Sequence, residues 1–264
     1  MAFRSRYLAN MTLTLITGAS SGIGAATARA LSAAGHIVIA AARRRESLEG
    51  LCDSLEGEAL PLVMDVTDPG SISSALKEAQ AFAEARGGIE RLVNNAGAAE
   101  SAPVTKADEA LAARMMEVNF HGARRLMEAL LPGMVRGGSG AVVNVASSAG
   151  LAGYAYVSAY CAAKHALVGY SRAVSAEMES KGVRVGLVCP HYVDTPMTAA
   201  SLEKMAQKTQ KSPEELRAFL ASENPGGRLI TPEEVADVIH SLLSEGANGS
   251  LVELDGSEPV GNGE

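Results

Sequence analysis

The sequence predicts an α/β fold built on a parallel β-sheet, and three observations carry that prediction. Short apolar runs of β type alternate with longer helical patterns along most of the 264 residues, the arrangement of repeated β-α-β units. The run at 141–146 is apolar almost throughout, as suits a strand buried on both faces. A glycine-rich turn separates the first strand run from the first helical pattern. The length fits one α/β domain with a seven-strand sheet. No internal repeat and no Pro- or Ser-rich linker interrupts residues 1–264, so a single domain is expected.

Residues 12–17 read as the first strand. Residues 22–34 read as a helix closed by Gly35, a residue that leaves a helix readily through left-handed dihedrals. The second strand is expected at 36–42, a helix at 47–55, the third strand at 59–64 and a helix at 69–86. Pro69 falls in that helix's first turn, where a missing N–H costs nothing. A short strand at 91–94 precedes one long helix from about Lys106 to Leu130, which leads through Gly137 and Gly138 to the strand at 141–146. A helix over 156–181 and a strand over 183–189 follow. Thr231-Pro232-Glu233-Glu234 opens the last helix with a good N-cap and proline at N1, and a strand at 250–254 closes the sheet. The stretch 194–228 is polar and less regular, and is expected to be a mobile cover of the substrate site. Residues 1–10 precede the first strand signal as an N-terminal arm.

Composition narrows the function classes. Hydrophobic residues at 47% and charged residues at 20% place the chain among soluble globular proteins. The net charge of −7 and pI near 5.4 argue against a nucleic-acid partner, because phosphate neutralisation needs clustered Lys and Arg. The basic run Arg43-Arg44-Arg45 is too short to reverse this. Cys52, Cys161 and Cys189 have no paired spacing and read as free thiols in a reducing compartment. No signal-peptide run and no membrane-length apolar stretch is present, so no membrane partner and a cytoplasmic location are expected. His36, His121, His165 and His240 lack metal-ligand spacing, and no metal is expected.

Two motifs carry chemistry. Thr17-Gly18-Ala19-Ser20-Ser21-Gly22-Ile23-Gly24 lies between a strand and a helix. Glycines there let backbone N–H groups approach a pyrophosphate, and the helix N-terminus favours the anion. In Tyr160-Cys161-Ala162-Ala163-Lys164 the spacing of four puts a phenol and an ammonium one turn apart on a single helix face. A phenol with an ordinary pKa near 10 is a poor base; the nearby cation is expected to lower it into a useful range. Ser147 lies just past the fifth strand, at the end of the sheet where open α/β folds bind ligands.

Together with Asp65-Val66, Asn94-Asn95-Ala96-Gly97, Asn119 and the run from Pro190 to Thr195, these residues resemble the compact branch of the short-chain dehydrogenase/reductase family, over nearly the whole chain from Thr12 to Gly256. The resemblance implies a Rossmann-like doubly wound parallel sheet in the order 3-2-1-4-5-6-7 with helices on both faces, assembled as a homotetramer or homodimer. It implies hydride transfer between nicotinamide and a carbonyl or secondary alcohol. Tyr160 would be the acid or base at the substrate oxygen, and Ser147 would hold that oxygen. Lys164 would bind the nicotinamide ribose and depress the phenol pKa, while Asn119 would support a proton-relay water. The cofactor would touch Gly18, Ser20, Ser21, Gly22, Ile23 and Gly24 at the turn. Asp65 and Val66 would lie at the adenine, and Asn95, Ala96 and Gly97 along the ribose. Tyr160, Lys164, Pro190, Val193 and Thr195 would complete the cofactor set. The substrate region would hold Ser147, Tyr154, Tyr156, His191 and Tyr192, with Ala98, Ala99, Ser148, Leu151, Val157 and Met197 around it.

At the end of the second strand an acidic residue would bind a free ribose 2′-hydroxyl and repel a 2′-phosphate. Ala42 stands there, followed by Arg43 and Arg44, whose guanidinium groups suit a phosphate. NADP(H) is therefore favoured over NAD(H), with Arg43 the expected contact. The family's usual Pro-Gly after strand six is Pro190-His191 here; the imidazole points either into the substrate pocket or away into packing. A non-catalytic NADP-binding regulator on the same fold is the competing reading, and retention of Ser147, Tyr160, Lys164 and Asn119 speaks against it.

Overall fold

The computed structural model describes residues 12–209 and 211–257; the N-terminal arm expected at 1–10 lies outside the described residues. The strands are β1 (Leu13–Thr17), β2 (Ile37–Ala42), β3 (Ala59–Val63), β4 (Arg91–Asn94), β5 (Gly140–Val145), β6 (Val183–Pro190) and β7 (Leu251–Leu254). They form one sheet in the order β3-β2-β1-β4-β5-β6-β7, with every neighbouring pair parallel. Strand alternation explains why β2 is apolar throughout. In β2, Ile37, Ile39 and Ala41 enter one core, while Val38, Ala40 and Ala42 enter the other, so both faces are covered.

Three helices, α3 (Pro69–Glu84), α5 (Gly122–Gly137) and α6 (Ser158–Met178), supply the first core. The second is supplied by α1 (Gly22–Ala33), α2 (Arg45–Asp53) and α9 (Pro232–Ser244). The strand order reverses between β1 and β4, which opens a crevice at the carboxyl ends of those strands.

The structure departs from the sequence expectations in three segments. The single long helix expected from Lys106 to Leu130 is instead a turn of 3-10 helix (Val104–Lys106), α4 (Glu109–Met116), a π turn (Glu117–His121) and then α5. Asp108 caps α4 by accepting from the Leu111 N–H at 2.7 Å. The extra residue of the π turn re-aims the helix surface, and Asn119 sits within it. The helix expected from 156 begins at Ser158. Tyr156 adopts φ +67°, a left-handed conformation costly for a bulky residue, and its carbonyl accepts from the Ala102 N–H at 2.8 Å. The region 194–228 is not irregular: it holds α7 (Pro196–Thr209) and α8 (Pro213–Ser222), the second opened by a Ser212–Glu215 capping box. Leu202, Leu216 and Leu220 give these two helices a small core of their own.

At the opposite end of the sheet from the crevice, His36 is 9% exposed. Its ring meets Thr12 Oγ1 at 2.9 Å, the Arg91 guanidinium at 3.2 Å and the His240 ring edge-on. Burial, then the charge of Arg91 and then His240, lower its pKa from 6.5 to about 4. As pH falls, the unfolded chain takes this proton first. The stability contributed by the neutral ring is therefore complete above pH 6.5 and is lost progressively toward pH 4. Thermal unfolding midpoints are expected to fall between pH 7 and pH 5 in the native chain, and less steeply in His36→Gln. Parallel slopes for the two would remove His36 as the cause.

Candidate active site

The glycine turn is locked to β4 before any ligand arrives. Thr17 Oγ1 accepts from the backbone N–H groups of Asn95 and Ala96, both at 3.0 Å. The Asn95 side-chain amide donates to the Thr17 carbonyl at 2.9 Å and the Gly18 carbonyl at 3.3 Å. Gly18 stands at φ +65° with no room for a side chain, since a Cβ there would lie 2.9 Å from Ala96 Cα. The first-turn N–H groups of α1 have no partner within a helix. The Ser21 side chain does not cap them, and no acidic residue occupies that turn. Across the gap, Thr195 leans on Gly22, with its Cγ2 3.3 Å from a built Cβ position. An uncapped helix N-terminus beside close-packed glycines fits the pyrophosphate of a dinucleotide.

The second half of the crevice comes from β5 and α6. Ser147 follows β5, and its Oγ accepts from the Ala149 N–H at 3.1 Å. A buried chain of amides and hydroxyls ties β4 and β5 to α6: Asn94 Nδ2 donates to Asn144 Oδ1 and Asn144 Nδ2 to Ser171 Oγ, each at 2.8 Å. Tyr160 and Lys164 share one face of α6. Lys164 is 4% exposed, and its Nζ donates to the Val145 carbonyl at 2.9 Å and lies 5.7 Å from the Tyr160 ring centre. Asn119 Nδ2 donates to the carbonyls of Ala98 and Met115 at 2.9 and 3.1 Å, and its Oδ1 accepts from the Ala98 N–H at 3.2 Å. A Cβ on Gly97 would fall 2.9 Å from Asn119 Oδ1 and 3.8 Å from Lys164 Nζ, so the glycine keeps the approach to the lysine open.

The electrostatics correct one expectation. Burial pushes the Tyr160 phenol up to about 12, against the pull of the neighbouring Ser147 hydroxyl. Burial outweighs the charge of Lys164 in this arrangement, where the ammonium is engaged by the Val145 carbonyl. Burial in turn brings Lys164 down to about 8, with Cys189 opposing.

Further out, Ala42 ends β2 buried, and Arg43 and Arg44 are both exposed. Arg44 reaches back to Ser20, its Nη2 donating to Oγ at 3.3 Å. Burial would raise the Asp65 carboxyl, but hydrogen bonds from Thr67 outweigh it and hold the group below its ordinary value, with Arg43 adding to the lowering. Val66 is buried under Gly122 of α5. Ile23 is half-buried beside the second core, and Pro190 and Val193 are buried at the end of β6. Tyr154 donates to Ser148 Oγ at 2.9 Å. Tyr156 is 67% exposed at the edge of the crevice. The His191 imidazole is tied to β7: Nε2 meets Glu253 Oε1 at 2.8 Å, and Nδ1 is buried.

Sequence reasoning missed Asn224, which is 1% exposed. Its Oδ1 accepts from the Tyr192 N–H at 2.9 Å, and its Nδ2 donates to the carbonyls of Tyr192 and Arg228 at 2.9 and 2.6 Å. Nothing local in the sequence marks this clamp, because its partners lie up to 32 residues away.

A family model described as short chain dehydrogenase matches residues 12–206. The chain belongs to the short-chain dehydrogenase/reductase family. Among its relatives is the cis-4-hydroxycyclohexanecarboxylate dehydrogenase of Sinomonas cyclohexanicum, 36% identical over 92% of this chain and 94% of that protein. A 3-oxoacyl-[acyl-carrier-protein] reductase of Thermotoga maritima is 33% identical over 92% and 95%. The crystal structure of a single-substitution variant of actinorhodin polyketide ketoreductase with NADPH superposes with a TM-score of 0.86 at 31% identity, covering 96% of this chain and 98% of the other. This short-chain dehydrogenase/reductase is thus an NAD(P)-dependent oxidoreductase acting on CH–OH or carbonyl groups. No helix among its described residues is long and apolar enough to cross a membrane.

Proposed function

We propose that this oxidoreductase reduces a carbonyl substrate with NADPH, and that Tyr160 donates the proton to the carbonyl oxygen. The observation that carries the reading is the meeting of the Tyr160 phenol, the Ser147 hydroxyl and the buried Lys164 past the end of β5, beside a glycine turn fitted to a dinucleotide. When bound, the cofactor supplies the hydride to the carbonyl carbon. The oxygen gains electron density as the C=O π bond breaks, and the Tyr160 O–H proton passes to it, giving the alcohol and a phenolate. A phenol held near 12 is fully protonated at neutral pH and so suits the acid role. Ser147 holds the substrate oxygen in line with that proton. Lys164 stabilises the phenolate and returns a proton to it, with Asn119 as the outer member of the relay.

The preference for NADP(H) over NAD(H) rests on Ala42, Arg43 and Arg44, with Arg44 reaching toward the turn and Arg43 exposed beside it. The NADPH in the ketoreductase structure supports it. Titration of the native chain with both cofactors, followed by NADPH oxidation against ketones, aldehydes and quinones, tests the function. NADPH binding with turnover of one carbonyl class is the expected result; binding with no turnover of any class would favour the non-catalytic regulator. Replacing both Arg43 and Arg44 by Ala should weaken NADPH by about 10- to 100-fold, the worth of lost charge-assisted hydrogen bonds, and leave NADH within about threefold. Equal losses for the two cofactors would refute the phosphate assignment.

A further inference from the structure

Ser147 stands at the head of a short 3-10 turn, Ser148–Gly150, and the contacts of that turn decide where its hydroxyl sits. The turn is bonded to itself. Ser147 Oγ accepts from the Ala149 N–H at 3.1 Å, and the Ser147 carbonyl from the Gly150 N–H at 2.8 Å. The Ser148 carbonyl accepts from the N–H groups of Leu151 and Ala152, both at 2.9 Å. A shift in any part of this unit carries Ser147 Oγ with it. On one side the turn rests on α6. A Cβ on Gly150 would lie 2.9 Å from the Lys164 carbonyl oxygen and 3.0 Å from Val168 Cγ2, so the turn meets the helix backbone directly.

On the other side a single side chain holds it. Tyr154 donates its hydroxyl to Ser148 Oγ at 2.9 Å, the only hydrogen bond of the Ser148 side chain among the described residues. Ser148 is 5% exposed and Tyr154 is half-buried, so the bond ties the buried turn to the loop outside it. That loop is braced in its turn. Two residues on, Tyr156 carries its left-handed φ, and its carbonyl holds the Ala102 N–H at 2.8 Å. A line of contacts therefore runs from the segment after β4, through the loop and Tyr154, to Ser148 and Ser147.

We infer that Tyr154 is a positioning residue for the reaction: through Ser148 it holds the turn that sets the Ser147 hydroxyl against the Tyr160 phenol, and its own hydroxyl is spent on the protein rather than on the substrate. This differs from the expectation that Tyr154 meets the substrate. The inference rests on the reductase reading and deepens it. One hydrogen bond between half-buried groups adds little to the fold, but proton transfer needs the substrate oxygen in line with the Tyr160 O–H, and a turn free on one side loses that alignment.

The test uses the full chain with NADPH and a carbonyl from the panel above that the native chain reduces. Tyr154→Phe keeps the ring and removes the bond from one end; Ser148→Ala removes it from the other. Each should lower kcat about tenfold, given that a misplacement of about 1 Å can cost about 100-fold. The substrate KM and the NADPH affinity should stay within about threefold, and the melting temperature should not move. Because both changes break one bond, the double variant should match either single within about twofold, whereas independent losses would multiply to about 100-fold. A native-like kcat in Tyr154→Phe overturns the inference, as does a raised KM with kcat kept, which marks a substrate contact. Losses that multiply in the double variant overturn it, and so does a kcat loss matched by falls in NADPH affinity and melting temperature, which marks general loosening. Each of these leaves the reductase reading standing. A native chain that binds NADPH and reduces no carbonyl of the panel overturns both.

Discussion

Tyr160→Phe should lower kcat by roughly 10²- to 10⁴-fold, the range over which a positioned proton donor contributes, while NADPH binds within about threefold of the native affinity. The asymmetry follows from where the two parts of the side chain sit. The side chain packs against the buried cluster of Leu111, Met115 and Ala163, and phenylalanine keeps all of that contact. The hydroxyl is the desolvated end beside Ser147, and its removal takes away a polar group that folding had to bury, so the melting temperature should change little. What is lost is the proton. Without it the developing negative charge on the substrate oxygen meets only the Ser147 hydroxyl. Stopped-flow reduction under single-turnover conditions isolates this step from product release. Native-like rates would remove Tyr160 from the reaction and leave Lys164, lowered to about 8, as the acid to test next.

The sheet was legible in the sequence because burial on both faces makes the central strands largely apolar runs, and turns at Gly35 and Gly138 punctuate them. The family motifs were legible for a similar reason, since they lie at fixed offsets from strand ends. Features that depend on contacts distant in sequence were not. The π turn carrying Asn119 repeats the apolar periodicity of an ordinary helix, and the residue that follows it, Gly122, packs closely against Val66 from a distant part of the chain. The clamp of Asn224 on Tyr192 and the pairing of His191 with Glu253 are likewise set by tertiary neighbours. The helix α8 could have been found: Ser212-Pro213-Glu214-Glu215 has the same form as Thr231-Pro232-Glu233-Glu234, and both make capping boxes. The Tyr160 pKa was not legible, because spacing on a helix places Lys164 on the right face but says nothing of how deeply the phenol is buried.

Gly24→Ala tests the cofactor assignment and sets two principles against each other. Gly24 lies inside α1, where helix propensity alone makes alanine better than glycine by about 1 kcal/mol. Packing says the opposite. A Cβ there would stand 2.4 Å from the Gly18 carbonyl oxygen, 2.6 Å from Asn95 Nδ2 and 2.9 Å from Ala19 Cα. Two of these are backbone atoms and cannot swing aside. Gly18 has little room to retreat, because its own Cβ side abuts Ala96, and Asn95 is held by the Thr17 and Gly18 carbonyls. The turn must open, and the first-turn N–H groups of α1 move with it. Overpacking of this kind costs about 1–3 kcal/mol, so urea unfolding should show a net loss of stability, and NADPH affinity should fall by about 100-fold, near 2.7 kcal/mol. Gly50→Ala is the matched comparison, since Gly50 sits within α2 with nothing inside 4 Å of a built Cβ. There propensity acts unopposed, and the variant should gain about 0.5–1 kcal/mol with NADPH affinity intact. If Gly24→Ala instead gained stability as Gly50→Ala does and bound NADPH normally, the closeness of Gly18 to Gly24 would not be what shapes the pyrophosphate site, and the turn would lose its assignment.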